Sequence, residues 1–164
     1  MYQSSKTYGT DRGLSCCFRQ WRADHSMCSW LHGYSLGFKF IFESETLDGK
    51  KWCLDFGNLR PVKEWLDYMF DHALVIAEDD PDIEFLKAIG KYDTRSSFRG
   101  KLANVHIVEA TGCESFAKMA FDEANRILVE MKAGRVGRYP VNPSVRLVSV
   151  ECFEHGANSA TYIG

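Results

Sequence analysis

Residues 33–43 constrain the fold of this chain more than any other stretch. Apolar and polar side chains alternate there with the period of two that an extended strand requires. One face of the strand carries Tyr34, Leu36, Phe38, Phe40 and Phe42, and the other carries Ser35, Lys39 and Glu43. A sheet with one apolar face buries that face against other elements. The alternation therefore predicts a half-buried strand.

Periodicity in the rest of the chain predicts an α+β arrangement. Further strands are expected at residues 14–24, 52–56, 105–108, 145–154 and 159–163. A helix is expected over residues 59–70, a short one over 82–89, and a long one with apolar positions from Phe116 to Met131. Thr111 and Glu114, just before the long helix, have the spacing of a capping box. This order favours one antiparallel sheet with two helices on one face.

Length and composition indicate one soluble domain over residues 1–164, with residues 77–104 as an insertion or long loop. Hydrophobic residues make up 45% and charged residues 26% of the chain, which is the balance of a globular protein. A net charge of −2 gives no reason to expect nucleic acid or an anionic membrane as partner. No apolar run approaches membrane-spanning length, and the N-terminus lacks a signal-peptide core. A cytoplasmic location is therefore expected.

The six cysteines show no CxxC pair and no regular spacing, so reduced thiols are expected rather than a disulfide framework. Most of them are expected to be small core residues. Cys28 differs because His25 and His32 lie within four residues of it. A cationic or metal neighbour lowers the pKa of a thiol and makes it a useful base. A buried, inert thiol is the alternative for Cys28.

Three other features point to chemistry, each beside a simpler interpretation. His25 and His32 are candidate zinc ligands or two surface histidines, since catalytic zinc normally has three protein ligands. Asp71 and His72 form either a proton-transfer pair or a charged pair at a helix C-terminus. Glu154 follows Val148, Val150 and Cys152 on one predicted strand face. It is either a solvated strand end or an anchor for the N–H groups of a ligand.

Taken together, these motifs resemble the 6-pyruvoyl-tetrahydropterin synthase family, and within it the 6-carboxytetrahydropterin synthases. The resemblance depends on their order along the chain. A histidine precedes Cys-x-x-x-His-Gly, which is followed by Asp-Phe, Asp-His, a glutamate at a Thr/Gly helix start, and a glutamate eight residues before a Tyr-x-Gly end. It covers the chain apart from the first dozen residues and residues 77–104.

The resemblance implies a role for each matching residue. Cys28, Asp71 and His72 match the catalytic proton-transfer group, and His25 and His32 match zinc ligands. Glu154 matches the carboxylate that binds the pterin, with Cys113 and Glu114 lining the pterin pocket. The third zinc ligand of the family is a histidine, but this chain has Tyr34 there.

The resemblance also implies a fold, a reaction and an assembly. The fold is the tunnelling fold, with a four-stranded antiparallel sheet and two helices on one face, assembled into a homo-oligomer that is commonly a hexamer. The expected activity is a lyase reaction that converts 7,8-dihydroneopterin triphosphate into 6-carboxytetrahydropterin, acetaldehyde and triphosphate, in 7-deazaguanine (queuosine) biosynthesis. The alternatives are a pterin-binding homologue without zinc or synthase activity, and a dihydroneopterin aldolase- or epimerase-like enzyme.

Overall fold

A long central strand organises the sheet of the protein, whose computed structural model describes all 164 residues. Its seven strands are β1 (Tyr2–Tyr8), β2 (Leu14–Phe18), β3 (His32–Ser44), β4 (Ala73–Ala77), β5 (Asn104–Val108), β6 (Arg146–His155) and β7 (Asn158–Ile163). Its three α-helices are α1 (Arg60–Phe70), α2 (Ile83–Lys91) and α3 (Cys113–Lys132). The strand predicted at residues 33–43 is confirmed as β3.

Strand β3 is long enough to pair with two different strands along one edge. Its first half pairs with β2 and its second half with β1, both antiparallel. Its other edge pairs with β6, which pairs with β7. On the far side of β2 lie β4 and β5, which run parallel to it and to each other. The sheet therefore has seven strands and is mixed, so the expectation of four antiparallel strands is wrong in those details.

The two strands that were not predicted lack an alternating pattern. All five residues of β4 are buried because helices cover both faces of this strand. A strand buried on both faces is apolar throughout and cannot be recognised by alternation. Strand β1 has the sequence YQSSKTY, in which only the last residue is buried. Its pairing with the second half of β3 defines it as a strand.

Helices α1 and α3 pack on one face of the sheet, as predicted, and form the main core with the apolar faces of β2, β3 and β6. Helix α2 covers the opposite face, where Leu86 packs against Leu74 and Ile76 of β4. The predicted loop at residues 77–104 thus contains a helix that covers the sheet and leads into β5. No helix of the structure has the length and apolar character needed to cross a membrane.

Two local predictions are wrong for identifiable reasons. Residues 52–56 do not form a strand, because the backbone of Trp52 closes a turn onto Asp48 and a 3-10 turn then begins at Phe56. In β6 a register shift opposite residues 41–42 of β3 breaks the alternation. Leu147 is therefore buried, whereas Val148, which was expected on the buried face, is only half-buried.

Candidate functional site

The loop that joins β2 to β3 holds Cys28 at the surface on a tight turn. Residues Met27–Ser29 form one 3-10 turn, and the hydroxyl of Ser26 accepts a hydrogen bond from the Cys28 backbone N–H at 3.2 Å. The Cys28 carbonyl accepts from the backbone N–H of Gln20 at 2.9 Å. Cys28 is the one exposed cysteine of the chain, whereas Cys16, Cys53, Cys113 and Cys152 are buried. Its thiol can therefore reach a bound molecule.

Tyr34 is the point at which several predicted site residues meet. Burial raises the pKa of its phenol, and the nearby Glu154, Cys28 and Cys113 raise that pKa further. The ring of Tyr34 also lies 5.4 Å from that of His32, measured between centroids. A thiol from the β2–β3 loop, a carboxylate from β6 and a thiol from α3 are thus all near enough to this phenol to affect its ionisation.

Cys113 and Glu114 occupy the first turn of α3, but the predicted capping box is wrong. Gly112 is the N-cap and has φ 105°, a conformation that favours glycine. The hydroxyl of Thr111 donates instead to the carbonyl of Arg19 at 2.6 Å. Glu114 forms no hydrogen bond and is exposed, so its carboxylate is available to a ligand.

Two residues near this site were not singled out in the sequence. The ring of His155 lies 6.0 Å from that of Tyr34, directly after Glu154 on β6. Gln20 hydrogen-bonds the Cys28 carbonyl, and its side chain packs against Gly112. Alternation along β6 could have placed His155 near the end of the strand, but only the folded loop brings Gln20 to the start of α3.

The two predicted zinc ligands differ in how well their imidazoles are positioned. A carbonyl can only accept, so Nδ1 of His32 donates to the Trp30 carbonyl at 2.7 Å, which leaves Nε2 free. Metal-ligating histidines are commonly oriented in this way. His25 is exposed and forms no hydrogen bond. No three His, Cys, Asp or Glu side chains are close enough together to hold a metal ion.

The donor set of this chain therefore does not fit the three-ligand site of a catalytic zinc. Tyr34, which the resemblance places at the third ligand position, has a phenol whose pKa is raised by burial and by the nearby Glu154, so it is neutral near pH 7. A neutral phenol is a poor zinc ligand. Zinc at His25 and His32 stays a prediction.

Replacing Tyr34 with histidine should strengthen zinc binding. The Tyr34→His variant supplies a third imidazole on the strand face that already carries His32, and we expect its zinc affinity to rise by more than about tenfold, since even indirect ligand partners change metal affinity by that much. Competition with a zinc-responsive dye measures the change. Tyr34→Phe is the control, because it removes the hydroxyl without adding a ligand. Equal zinc affinities for the two variants would contradict this assignment.

Asp71 and His72 form a pair, but on the other side of the sheet from Tyr34. Nδ1 of His72 donates to the Asp71 carboxylate at 2.8 Å, which leaves Nε2 free. Both residues line a cleft of about 1030 Å³ with Cys17 and Leu74, whose side chains belong to the face covered by α2. No hydrogen bond or ring contact joins the pair to Cys28. One copy of the chain therefore does not assemble the predicted proton-transfer group.

A buried ion pair anchors the start of the loop that carries Cys28. The guanidinium of Arg19 donates to both carboxylate oxygens of Asp80, at 2.5 and 2.8 Å, and to Asp82 at 2.7 Å. The Asp80 side chain is only 1% exposed. Its hydrogen bonds with Arg19 lower its pKa, against the effect of burial. The loop is thereby fixed to the turn that precedes α2.

Loss of Asp80 should destabilise the protein. Removing one partner of a buried pair leaves the other charge uncompensated, so Asp80→Ala should lower the free energy of unfolding by about 3 kcal/mol. Asp82→Ala is the control, since Asp82 binds the same guanidinium but its side chain is 62% exposed; we expect less than about 1 kcal/mol there. Urea unfolding measures both. Equal losses of unfolding free energy in the two variants would contradict the prediction, because burial of Asp80 would then add nothing to the cost.

The same carboxylate gives a pH dependence with a defined sign. The pKa of Asp80 is lower in the folded state than its ordinary value. The contribution of Asp80 to the free energy of unfolding is therefore fully present above about pH 4. It is lost as the pH falls through the lower, folded-state pKa. The stability difference between the wild type and Asp80→Ala should therefore shrink in acid.

Comparison with known proteins gives short sequence matches to curated enzymes. A stretch of 57 residues is 32% identical to 6-carboxy-5,6,7,8-tetrahydropterin synthase of Rickettsia felis, and it is 30% identical to the enzyme of the same name from Rickettsia conorii. In each case the match covers 34% of this chain and 41% of the relative. The chain is thus matched over less than half the length of these relatives.

Solved structures match over nearly the whole chain. An uncharacterized protein from Wolinella succinogenes superposes with a TM-score of 0.75 at 19% identity, over 99% of this chain and 97% of the other. The 6-pyruvoyl tetrahydropterin synthase of Plasmodium vivax superposes with a TM-score of 0.62 at 10% identity, over 99% and 98%. At such identities the likeness shows the fold alone, and the predicted tunnelling-fold class is confirmed.

A family-level match covers most of the sequence. The sequence profile of the family described as "6-pyruvoyl tetrahydropterin synthase" matches residues 10–164, which include all the candidate site residues. The recognition made from the motif order is confirmed by this match. The chain belongs to the 6-pyruvoyl tetrahydropterin synthase family.

Proposed function

We propose that the protein is a 6-carboxytetrahydropterin synthase-like lyase. It would convert 7,8-dihydroneopterin triphosphate into 6-carboxytetrahydropterin, acetaldehyde and triphosphate, as a step towards 7-deazaguanines in the cytoplasm. The observation that carries this proposal is the approach of Cys28, Cys113 and Glu154 to Tyr34. These residues come from three separate elements, and they include a carboxylate suited to a pterin and an exposed thiol suited to proton transfer. The names of the curated relatives support the choice of reaction.

The pterin ring is proposed to lie between β6 and the start of α3. The Glu154 carboxylate accepts hydrogen bonds from the N–H groups of the amino-pyrimidinone edge. Hydrogen bonds to a charged acceptor are stronger than those between neutral groups. Cys113 and Glu114 line the same end of α3. Holding the ring in this way places the three-carbon side chain of the substrate near Cys28, so that the reacting carbons are oriented before any proton moves.

Cys28 and His72 are proposed to move the protons of the reaction. Cys28, as a thiolate, removes a proton from a side-chain carbon, and triphosphate then leaves. His72 is the complementary acid: Asp71 accepts from Nδ1–H and orients the ring, and the imidazolium form donates a proton from Nε2. Attack of a water molecule on the carbonyl formed at the first side-chain carbon then breaks its bond to the second carbon, which leaves the first carbon as the carboxylate and releases the other two as acetaldehyde.

These two groups meet only if a second copy of the chain takes part. Cys28 is near Tyr34, which packs against the core on the face covered by α1 and α3, whereas Asp71 and His72 line a cleft on the opposite face. We therefore place the reaction between copies of a homo-oligomer, for which a hexamer is the expected assembly. Symmetric assembly repeats this contact at every site.

Turnover assays with two substrates test the proposal. Purified protein should consume 7,8-dihydroneopterin triphosphate and release triphosphate. Turnover of dihydroneopterin without its triphosphate would indicate aldolase- or epimerase-like chemistry instead. Pterin binding with no turnover of either compound would indicate a binding protein, an alternative that Tyr34 favours because it replaces a zinc ligand.

A further inference from the structure

The cleft beside Asp71 and His72 carries positive charges that have no role in the proposed proton transfers. Arg99 and Lys101 line it, together with Asn104 at the start of β5. Of the charged side chains that line the cleft, the only carboxylate is Asp71, which already accepts a hydrogen bond from His72. At about 1030 Å³ the cleft is as large as the pockets that hold cofactor-sized ligands. Its surface therefore favours an anion.

The two cationic side chains of the cleft have no carboxylate partner of their own. Seven of the ten arginines of the chain form an ion pair with Asp or Glu. Arg99 does not, and its guanidinium stacks on the exposed ring of Phe98, 5.0 Å from the ring centroid. Lys101 forms no ion pair either, and its backbone pairs with Asp93 across a short bridge. Both charges are available to a ligand.

The backbone holds two of the cleft residues in a conformation that non-glycine residues rarely adopt. Only Lys51, His72 and Arg99 among the non-glycine residues have a positive φ, and the last two line this cleft, with φ 52° and φ 54°. Backbone strain of this kind concentrates where function requires a side chain at a fixed position. Here it holds an imidazole and a guanidinium at the same opening.

We infer that this cleft binds the triphosphate chain of the pterin substrate, with Arg99 and Lys101 as its cationic contacts. The inference rests on the proposed function, which requires a leaving group with this chemistry beside His72. A guanidinium binds phosphate oxygens through two parallel hydrogen bonds, and an ammonium binds them as a point charge. His72 lines the same cleft, and its imidazolium form can donate from Nε2 to the departing oxygen. In the assembly, the pterin bound at Glu154 of one copy extends its triphosphate into the cleft of the next.

Binding of inorganic tripolyphosphate to the full chain tests the site without requiring turnover. Isothermal titration calorimetry should show binding that weakens by about tenfold in Arg99→Ala and in Lys101→Ala. Arg95→Ala is the matched control, because Arg95 lies in the same segment, is exposed and unpaired, and does not line the cleft. Equal weakening in all three variants, or no binding by the wild type, would overturn the inference. Circular dichroism confirms that each variant is folded.

Two further measurements separate this inference from the proposed function. In turnover assays, Arg99→Ala should raise KM for dihydroneopterin triphosphate more than it lowers kcat. If the wild type turns over this compound but Arg99→Ala and Lys101→Ala behave like Arg95→Ala, the inference fails and the function stands. If tripolyphosphate binding depends on Arg99 and Lys101 but no turnover occurs, the function fails instead.

ATP should compete with tripolyphosphate for the cleft less well than dihydroneopterin triphosphate does. Stronger competition by ATP would assign the cleft to a nucleotide and overturn the inference.

Discussion

Replacing Cys28 with alanine should abolish nearly all turnover of dihydroneopterin triphosphate while leaving the fold and pterin binding intact. A positioned acid or base contributes about 10²- to 10⁴-fold to a rate, so we expect kcat to fall by that factor. The side chain is exposed, and its turn is held by backbone atoms of Cys28 rather than by the thiol. The substitution should therefore have little effect on stability.

The control for this prediction is Cys53→Ala. Cys53 lies near Ser4 and Glu43, at the other end of β3 from Tyr34 and outside the cleft, and burial raises its pKa, which makes it a poorer base. Steady-state kinetics on both variants, with pterin binding followed by fluorescence, separates a chemical role from a structural one. Activity retained in Cys28→Ala within a factor of a few would contradict the role that we give to this thiol.

Mixing two inactive variants should restore activity if each site uses two copies of the chain. Cys28→Ala lacks the thiol and His72→Ala lacks the imidazole, but in a mixed oligomer an intact thiol can meet an intact imidazole. Random assembly of equal amounts leaves about a quarter of such sites complete, so we expect about a quarter of the wild-type rate. The two chains are co-expressed with different affinity tags, and the doubly tagged oligomer is assayed.

The matched control for the mixing experiment combines Cys28→Ala with Glu154→Ala. Cys28 and Glu154 both lie near Tyr34 of one chain, so a site that draws both from the same copy cannot be repaired by mixing. We expect no recovery from this pair. Recovery from both mixtures, or from neither, would contradict the division of the site between copies.

How much of this fold could be predicted depended on how each element is buried. Strand β3 and helices α1 and α3 each bury one face, so their apolar residues repeat with a readable period. Strand β4 is covered on both faces and has no such period. The polar strand β1 is defined by its partner on β3, which sequence periodicity does not reveal.

The sequence could suggest candidate site residues but not their arrangement. The motif order correctly indicated the family, and it suggested roles for Cys28, Glu154, Asp71 and His72, which stay predictions. It could not show that Asp71 and His72 lie on the other face of the sheet, because that depends on the parallel pairing of β4 with β2. It also could not reveal Arg99 and Lys101, whose segment carries no recognisable motif.

The two-carbon product of the reaction tests the central claim most directly. Purified wild-type protein is incubated with 7,8-dihydroneopterin triphosphate, and acetaldehyde and triphosphate are both quantified. The proposed lyase predicts that the two products appear in equal amounts, because each turnover breaks one carbon–carbon bond and expels one triphosphate. Triphosphate without acetaldehyde would show elimination without cleavage. Glycolaldehyde triphosphate with no free triphosphate would show aldolase chemistry, because retro-aldol cleavage leaves the triphosphate on the two-carbon fragment. Either result would contradict the proposed function.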